Sequence, residues 1–482
     1  MLEEAGRLAP HDPDIMMNLG RLYGLRYDYP LADKYFKAAI RLASWRMQSF
    51  LDAGAICIQL NRFEMAERYL RRAVEQNGSS VEALVLLAGA CERQRRLEEA
   101  LQLVERALSV DGSYPMALLS QARLKRMLGQ LEEAEKSLHR FFAKPGADDW
   151  TRALGWYELG GVLDRQGRYD EAMTALLQAK TLLRPAATEI LAKTKPGQGQ
   201  LAQMEKDLSA VMLQQWFEMG PQLQPQRPLS FLCGHPRSGT TLLDQVLDSH
   251  PGIISAEETL IFEDNALQPL TRSYPVDAPL LRVLESVPIP LLLRSRREYF
   301  DFMERFLGQG IGDRMLLDKN PALNPRIPAI IHIFPEARFL VAIRDPRDVC
   351  LSCFMQPLPV NPVSAAYLNL EDTAAQYASV MGFWKAVQPL MKNPSLEVRY
   401  EDMVDNLEFL SRRVLDFLGV TWDDRVLHFT EHAKNRAVRS PTYADVSKPV
   451  FKTAVGRWRN YQKYLEPCLE KLKPFLRAFG YE

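Results

Sequence analysis

Alanine recurs along the first part of the chain at Ala32, Ala66, Ala100, Ala134 and Ala172, in steps of 34, 34, 34 and 38 residues. A fixed period of this length marks one supersecondary unit copied several times. Twelve residues before each alanine stands a small residue: Gly20, Gly54, Ala88, Ala122 and Gly160. Four residues after it stands a bulky apolar one: Phe36, Leu70, Val104, Leu138 and Leu176. Seven after it comes a second alanine (Ala39, Ala73, Ala107, Ala179), except in the fourth copy, where Phe141 takes the place. Offsets of four and seven lie on one helical face. Small residues let two helices cross closely, and large ones fill the gap beside them. Helical hairpins that bury their faces on one another are therefore expected. The four extra residues before the last copy fall in Ala143-Lys-Pro-Gly-Ala-Asp-Asp-Trp150, a loop by composition.

The pattern resembles tetratricopeptide repeats, whose period is about 34 residues, in five copies from about Pro13 to Leu182. That resemblance implies a right-handed α-solenoid with a concave face for a peptide, a protein partner or a second copy of the chain. The plainer reading is a spacer or dimer prop, because repeats alone never say what they bind. Leu2 to Leu8 reads as the end of an earlier helix. The solenoid is assigned to residues 1–193. A linker follows at 194–228, with a hinge at Thr194–Gln200, one helix from Leu201 to Met219 and a proline-rich end at Pro221–Pro228.

A chain of 482 residues should hold more than one domain. Its 60 basic and 60 acidic residues cancel, which removes any general drive towards nucleic acid or an anionic membrane. No apolar run is long enough to span a bilayer, and the first residues lack a basic region followed by an apolar core. Six scattered cysteines do not make a disulfide framework, and Cys350 and Cys353 read as two thiols on one helix face. A reducing, cytoplasmic setting is expected.

Residues 229–482 read as an α/β domain with a parallel sheet. Leu229 to Cys233 is an apolar strand, Gly234-His-Pro-Arg-Ser-Gly239 a tight loop, and Thr240 opens a helix. Strand, glycine loop and helix start make an anion cradle. The glycine spacing matches the P-loop of nucleotide triphosphatases, but Thr240 stands where that motif has lysine, and the loop's cation is Arg237. Glu257 and Glu258 follow the apolar stretch Ile253–Ala256; one could be a general base, although such pairs are usually surface groups. Lys319 ends the strand Met315–Lys319, where ligands bind in α/β sheets. Arg344 ends the strand Arg338–Ile343, and Ser352 lies one turn into the next helix, a second anion clamp. Leu396–Tyr400 is a further strand. Two clamps on one sheet edge fit a 3′-phosphorylated nucleotide with a 5′ diphosphate-like group. His235 and His250 are rivals for the base, each with a structural role as the simpler reading.

The segments Pro236-Arg-Ser-Gly-Thr-Thr241 and Arg344-Asp-Pro-Arg-Asp-Val-Cys-Leu-Ser352 resemble the two cofactor loops of sulfotransferases that use 3′-phosphoadenosine-5′-phosphosulfate (PAPS). The nearest resemblance is to protein-tyrosine sulfotransferases, over about Leu229 to Glu482, through Glu257-Glu-Thr259, Asp318-Lys319-Asn-Pro, Val398-Arg-Tyr-Glu401 and Lys448-Pro-Val450. It implies that Arg237 and the amides of Ser238, Gly239, Thr240 and Thr241 hold the 5′-phosphosulfate, and that Arg344 and Ser352 hold the 3′-phosphate. It places Tyr400 at the adenine, Glu258 as general base, Lys319 at the bridging oxygen, Tyr443 beside the sulfate and Arg457 near the cofactor. No metal is implied. The expected reaction is sulfuryl transfer to an acceptor hydroxyl, with the repeats as a recruitment module and a homodimer as an open option. The acceptor is a protein tyrosine or, alternatively, a carbohydrate or small molecule. A P-loop kinase and an inactive scaffold are the remaining alternatives. Leu260-Ile-Phe-Glu-Asp264 stands where tyrosine-specific members place arginines, Gln356 replaces another arginine, and the membrane anchor of secretory members has no counterpart.

Overall fold

A computed structural model describes residues 1–43, 46–194, 200–275, 277–434 and 454–482. The chain divides into two compact units, Met1–Leu182 and Leu183–Glu482.

In the first unit, after a short helix Leu2–Leu8, five helix pairs follow the alanine period. They are Pro13–Leu25 with Tyr29–Leu42, Arg46–Gln59 with Phe63–Gln76, Val81–Arg93 with Leu97–Val110, Pro115–Met127 with Leu131–Phe142, and Asp149–Arg165 with Tyr169–Thr194. The five period alanines are fully buried. The small residues meet the bulky ones as the spacing predicts. A methyl added to Gly20 would lie 2.4 Å from the Phe36 ring, one on Gly54 2.5 Å from Leu70, and one on Gly160 2.9 Å from Leu176. Phe141, the exception to the pattern, is accommodated by Gly155 of the next pair, where a methyl would come within 2.4 Å of its ring.

The turn inside each pair also repeats. Tyr27, Asn61, Arg95, Gly129 and Gly167 all take the left-handed conformation, with φ of 62°, 55°, 64°, 81° and 77°. The next residue's amide reaches back to close the helix end: Asp28 to the Tyr23 carbonyl, Arg62 to Cys57, Arg96 to Cys91, Gln130 to Lys125 and Arg168 to Leu163, at 2.8–3.0 Å. This is the Schellman ending, in which a left-handed residue turns the chain so that orphan carbonyls are satisfied.

The second unit corrects one expectation at once. Leu201–Met219 is not one helix but two, Gln200–Asp207 and Ala210–Glu218. Ser209 turns extended, and its hydroxyl accepts the Met212 amide at 3.2 Å, which starts a new helix. The expected hinge lies mostly outside the described residues.

Five strands form one parallel sheet: β1 (Leu229–Gly234), β2 (Ile253–Glu257), β3 (Met315–Lys319), β4 (Arg338–Ile343) and β5 (Ser395–Arg399), in the order β2-β3-β1-β4-β5. The sheet is buried on both faces. Leu232, Leu317, Leu340 and Val398 pack with Leu243, Val246 and Leu247 of helix Thr240–Asp248 and with Leu410, Val414 and Leu415 of helix Leu407–Leu418. On the other face Phe231 stacks on Phe339 at 6.2 Å and meets Phe262 edge-on, with Tyr299 and Phe334 alongside. Central β1 has β3 on one side and β4 on the other. The crevice of such a sheet opens at the carboxyl ends of the strands. Those ends carry Gly234, Glu257, Lys319, Ile343 and Arg399.

Candidate active site

The loop after β1 owes its shape to two glycines. Gly234 has φ of +132°, and a methyl there would sit 2.6 Å from the Ala342 carbonyl oxygen of β4. Gly239 has φ of +93°, and a methyl there would sit 2.5 Å from the Tyr400 ring. Between them Arg237 holds a left-handed φ of +74°. Helix Thr240–Asp248 begins at Gly239 without a side-chain cap. Its first-turn amides thus face the crevice as donors for an anion. Of the four loop amides expected to do this, that of Ser238 is already given to the His235 carbonyl at 3.2 Å.

The two expected anion clamps are joined. Arg237 Nε donates to Ser352 Oγ at 3.1 Å, and Arg344 Nη1 donates to the Arg237 carbonyl at 3.2 Å. The Arg344 guanidinium lies over the Tyr400 ring at 4.9 Å, and its Nη2 donates to the Ala454 carbonyl at 2.5 Å. Its Nε is buried and finds no hydrogen-bond partner among the described residues. A buried unpaired donor carries a desolvation cost that an anionic ligand would relieve. Ser352 lies past the first turn of helix Pro346–Phe354, as the sequence suggested.

The acid–base group lies beside the loop. Lys319 is fully buried, and its Nζ donates to Glu258 Oε1 at 2.7 Å and to Glu257 Oε1 at 3.1 Å, and comes within 3.5 Å of Thr241 Oγ1. This excludes a plain surface lysine. Lys319 brings a second cation to the loop, where Thr240 stands in place of the motif lysine. The two glutamates differ: the Glu257 side chain is 3% exposed and that of Glu258 is 36% exposed. Glu258 takes a left-handed φ of +48°, and its amide donates to the Lys319 carbonyl at 2.7 Å. Burial pulls the Lys319 pKa down, but Glu257, Glu258 and Asp244 outweigh it and hold the pKa above its ordinary value.

Both histidines have structural roles. His235 is buried, with its ring nitrogens 2.8 Å from the Pro236 carbonyl and 2.5 Å from the Gln376 side-chain oxygen, and burial lowers its pKa. His250 accepts the Gly252 amide at Nδ1 and donates from Nε2 to the Thr421 carbonyl. Asp318, next to Lys319, faces the other layer: Tyr299 Oη donates to it at 2.9 Å, and burial raises its pKa to about 7. Cys350 and Cys353 are buried and not joined in a disulfide, and burial holds the Cys350 thiol well above its ordinary range. In the repeats the ligand atoms of Glu67, Cys91 and Glu99 lie within 4.8 Å of one another, but Arg71 and Arg96 already pair with both carboxylates.

Two contributions were not visible in the sequence. Asp348 accepts the amides of Gly456 at 2.7 Å and Trp458 at 2.8 Å, while Arg347 lies 3.8 Å from the Trp458 ring. Half-buried Arg457 is thereby held against the helix that carries Ser352. The only hint was an acid four residues after Arg344. Tyr443 and Lys448–Val450 lie outside the described residues. No helix among the described residues is long and apolar enough to cross a membrane.

Residues 228–424 match the model of the sulfotransferase family, and residues 58–115 and 119–187 match that of the tetratricopeptide repeat. Over 348 residues the chain is 24% identical to an uncharacterized protein of Aquifex aeolicus, covering 70% of this chain but 43% of that one. Over 267 residues it is 26% identical to protein-tyrosine sulfotransferase A of Caenorhabditis elegans, covering 53% of this chain and 67% of that one. The sulfotransferase domain from the Synechococcus PCC 7002 olefin synthase aligns with a TM-score of 0.36 at 20% identity, over 49% of this chain and 89% of that one.

Proposed function

Starting from a sulfotransferase domain joined to tetratricopeptide repeats, we propose that the protein moves a sulfuryl group from PAPS to an acceptor hydroxyl. The observation that carries the reading is the Lys319 ammonium, which joins the anion loop at Thr241 to a solvent-reachable carboxylate at Glu258. When bound, PAPS supplies a sulfuryl group on a phosphate leaving group: the acceptor oxygen bonds to sulfur as the bond from sulfur to the bridging oxygen breaks, and that electron pair leaves with the phosphate.

The chain's own groups divide the work. Arg237 and the amides of Gly239, Thr240 and Thr241 bind the 5′ end, with Ser238 contributing through its side of the loop. Arg344, through its unpaired Nε, and Ser352 bind the 3′-phosphate, which fits a donor set already buried and aimed together. Tyr400, held between Gly239 and Arg344, lines the adenine side. Glu258 takes the proton of the acceptor hydroxyl, a role that requires reach from solvent. Lys319 and Arg237 stabilise charge growing on the bridging and sulfuryl oxygens. Arg457 and Tyr443 complete the cofactor side.

The acceptor is a protein tyrosine or another hydroxyl compound, and the repeats recruit it or a protein partner. We divide the chain into a solenoid at 1–193, a linker at 194–228 and a transferase domain at 229–482. Six buried cysteines, none of them in a disulfide, support a reducing, cytoplasmic setting. Incubation with labelled PAPS and a panel of tyrosine peptides, glycans and phenols tests the activity. Turnover is expected with at least one acceptor class, and Glu258→Gln should lower kcat by about 10²-fold or more while the desulfated nucleotide still binds. Failure to bind that nucleotide, or an unchanged kcat in Glu258→Gln, refutes the reading.

A further inference from the structure

We infer that Glu257 is a positioning residue, the standing counter-charge that keeps Lys319 an ammonium while Glu258 takes up the acceptor's proton; this rests on the sulfuryl-transfer reading above. Two carboxylates touch the same Nζ, at 3.1 Å from Glu257 and 2.7 Å from Glu258. Only Glu258 can be reached by an acceptor. Glu257 ends β2, directly opposite Lys319 at the end of β3 in the parallel register. The pair is thus set by the sheet rather than by a loop.

The two glutamates cannot serve the same purpose. A base that accepts a proton becomes neutral, and Lys319 then loses the charge of its nearer partner. Lys319 is fully buried, and a buried ammonium without a counter-charge tends to give up its proton. That would happen at the moment when positive charge is needed at the leaving oxygen. Glu257, sealed from solvent and from the acceptor, keeps its charge throughout. Among the described residues, a further charged group acting on Lys319 is Asp244 on helix Thr240–Asp248, which accepts hydrogen bonds from Ser255 Oγ and from Gln245 Nε2. Thr241, on the same helix, is neutral. The second layer of the sheet, with Asp318, faces away. Glu257 is therefore the buried carboxylate in direct contact with the ammonium.

The test is the pH–rate profile of the full chain together with the side-chain titration of Lys319, followed by NMR on lysine-labelled protein and assigned with Lys319→Arg. In Glu257→Gln the basic limb of kcat should move to lower pH by about one to three units, with KM for PAPS little changed. Glu257→Asp should restore most of the shift. In Glu258→Gln, Lys319 should lose its proton at lower pH than in the wild type but at clearly higher pH than in Glu257→Gln. A basic limb that does not move in folded Glu257→Gln overturns the inference. So does a Lys319 that loses its proton as early in Glu258→Gln as in Glu257→Gln. Should Glu257→Gln not fold, the Glu258→Gln titration decides alone: a Lys319 still charged at the pH of the assay supports the inference, and a Lys319 neutral there overturns it. If the wild type turns over no acceptor, the sulfuryl-transfer reading falls, while the lysine titration still reports on Glu257.

Discussion

Arg237 and Glu258 both hold left-handed backbone conformations that cost a non-glycine residue about 1–3 kcal/mol each. Their surroundings hold them there: the Arg237 carbonyl accepts from Arg344, and the Glu258 amide donates across to β3. Gly239 takes the same kind of conformation under the Tyr400 ring. Gly239→Ala should push Tyr400 aside and weaken binding of the desulfated nucleotide tenfold or more, measured by calorimetric titration; unchanged affinity would show that the loop has room to spare. Asp318 gives a prediction of a different kind. Its folded pKa of about 7 lies above the ordinary aspartate range, so the stability it contributes is fully present below about pH 4 and is lost as pH rises towards 7. Asp318→Asn should keep the Tyr299 hydrogen bond, flatten the pH dependence of stability between about pH 4 and 7, and leave the protein more stable than wild type at pH 8. Denaturant midpoints across that range check it.

The elements were legible where a local pattern repeats. Hydrophobic runs ending in polar residues marked strands β1, β3, β4 and β5, and the 34-residue period marked the helix pairs. The left-handed turn residues were hidden because Tyr27, Asn61 and Arg95 are not glycines. Their conformation is imposed by the helix ending, not announced by residue type. Asn61→Val should accordingly cost about 1–2 kcal/mol, read from denaturant unfolding. The break at Ser209 was missed because apolar spacing continued across it. In the site, the anion loops and the glutamate pair could be found from type and position. Which glutamate is buried, and that Asp348 ties in residues 456–458, depend on strand order and packing across distant segments. No local signal carries those. The fourth repeat offers a direct test of packing: Gly155→Ala should destabilise by about 1–3 kcal/mol through its clash with Phe141. Phe141→Ala should also destabilise, by leaving a cavity. The double variant should cost less than the sum, because each change relieves the other.

For the whole molecule, equal numbers of acidic and basic residues leave little long-range field, so nucleotide capture depends on the crevice itself. Desulfated nucleotide at one hundred times its Kd should stabilise the sheet unit by about 2.7 kcal/mol, seen as a rise in its unfolding temperature; no rise would mean that the crevice does not bind it. The repeat unit has a different whole-chain property. At the junctions after the first three pairs, the position taken by Phe141 holds a fully buried alanine. Phe141 and Gly155 instead fit as key and lock, and only across the last junction. Unequal recombination that adds or removes 34 residues among the early pairs exchanges like for like. The same event between the fourth and fifth pairs would set a phenylalanine against a neighbour with no space for it. The array can therefore change length at its beginning, while its final junction is inherited as one block.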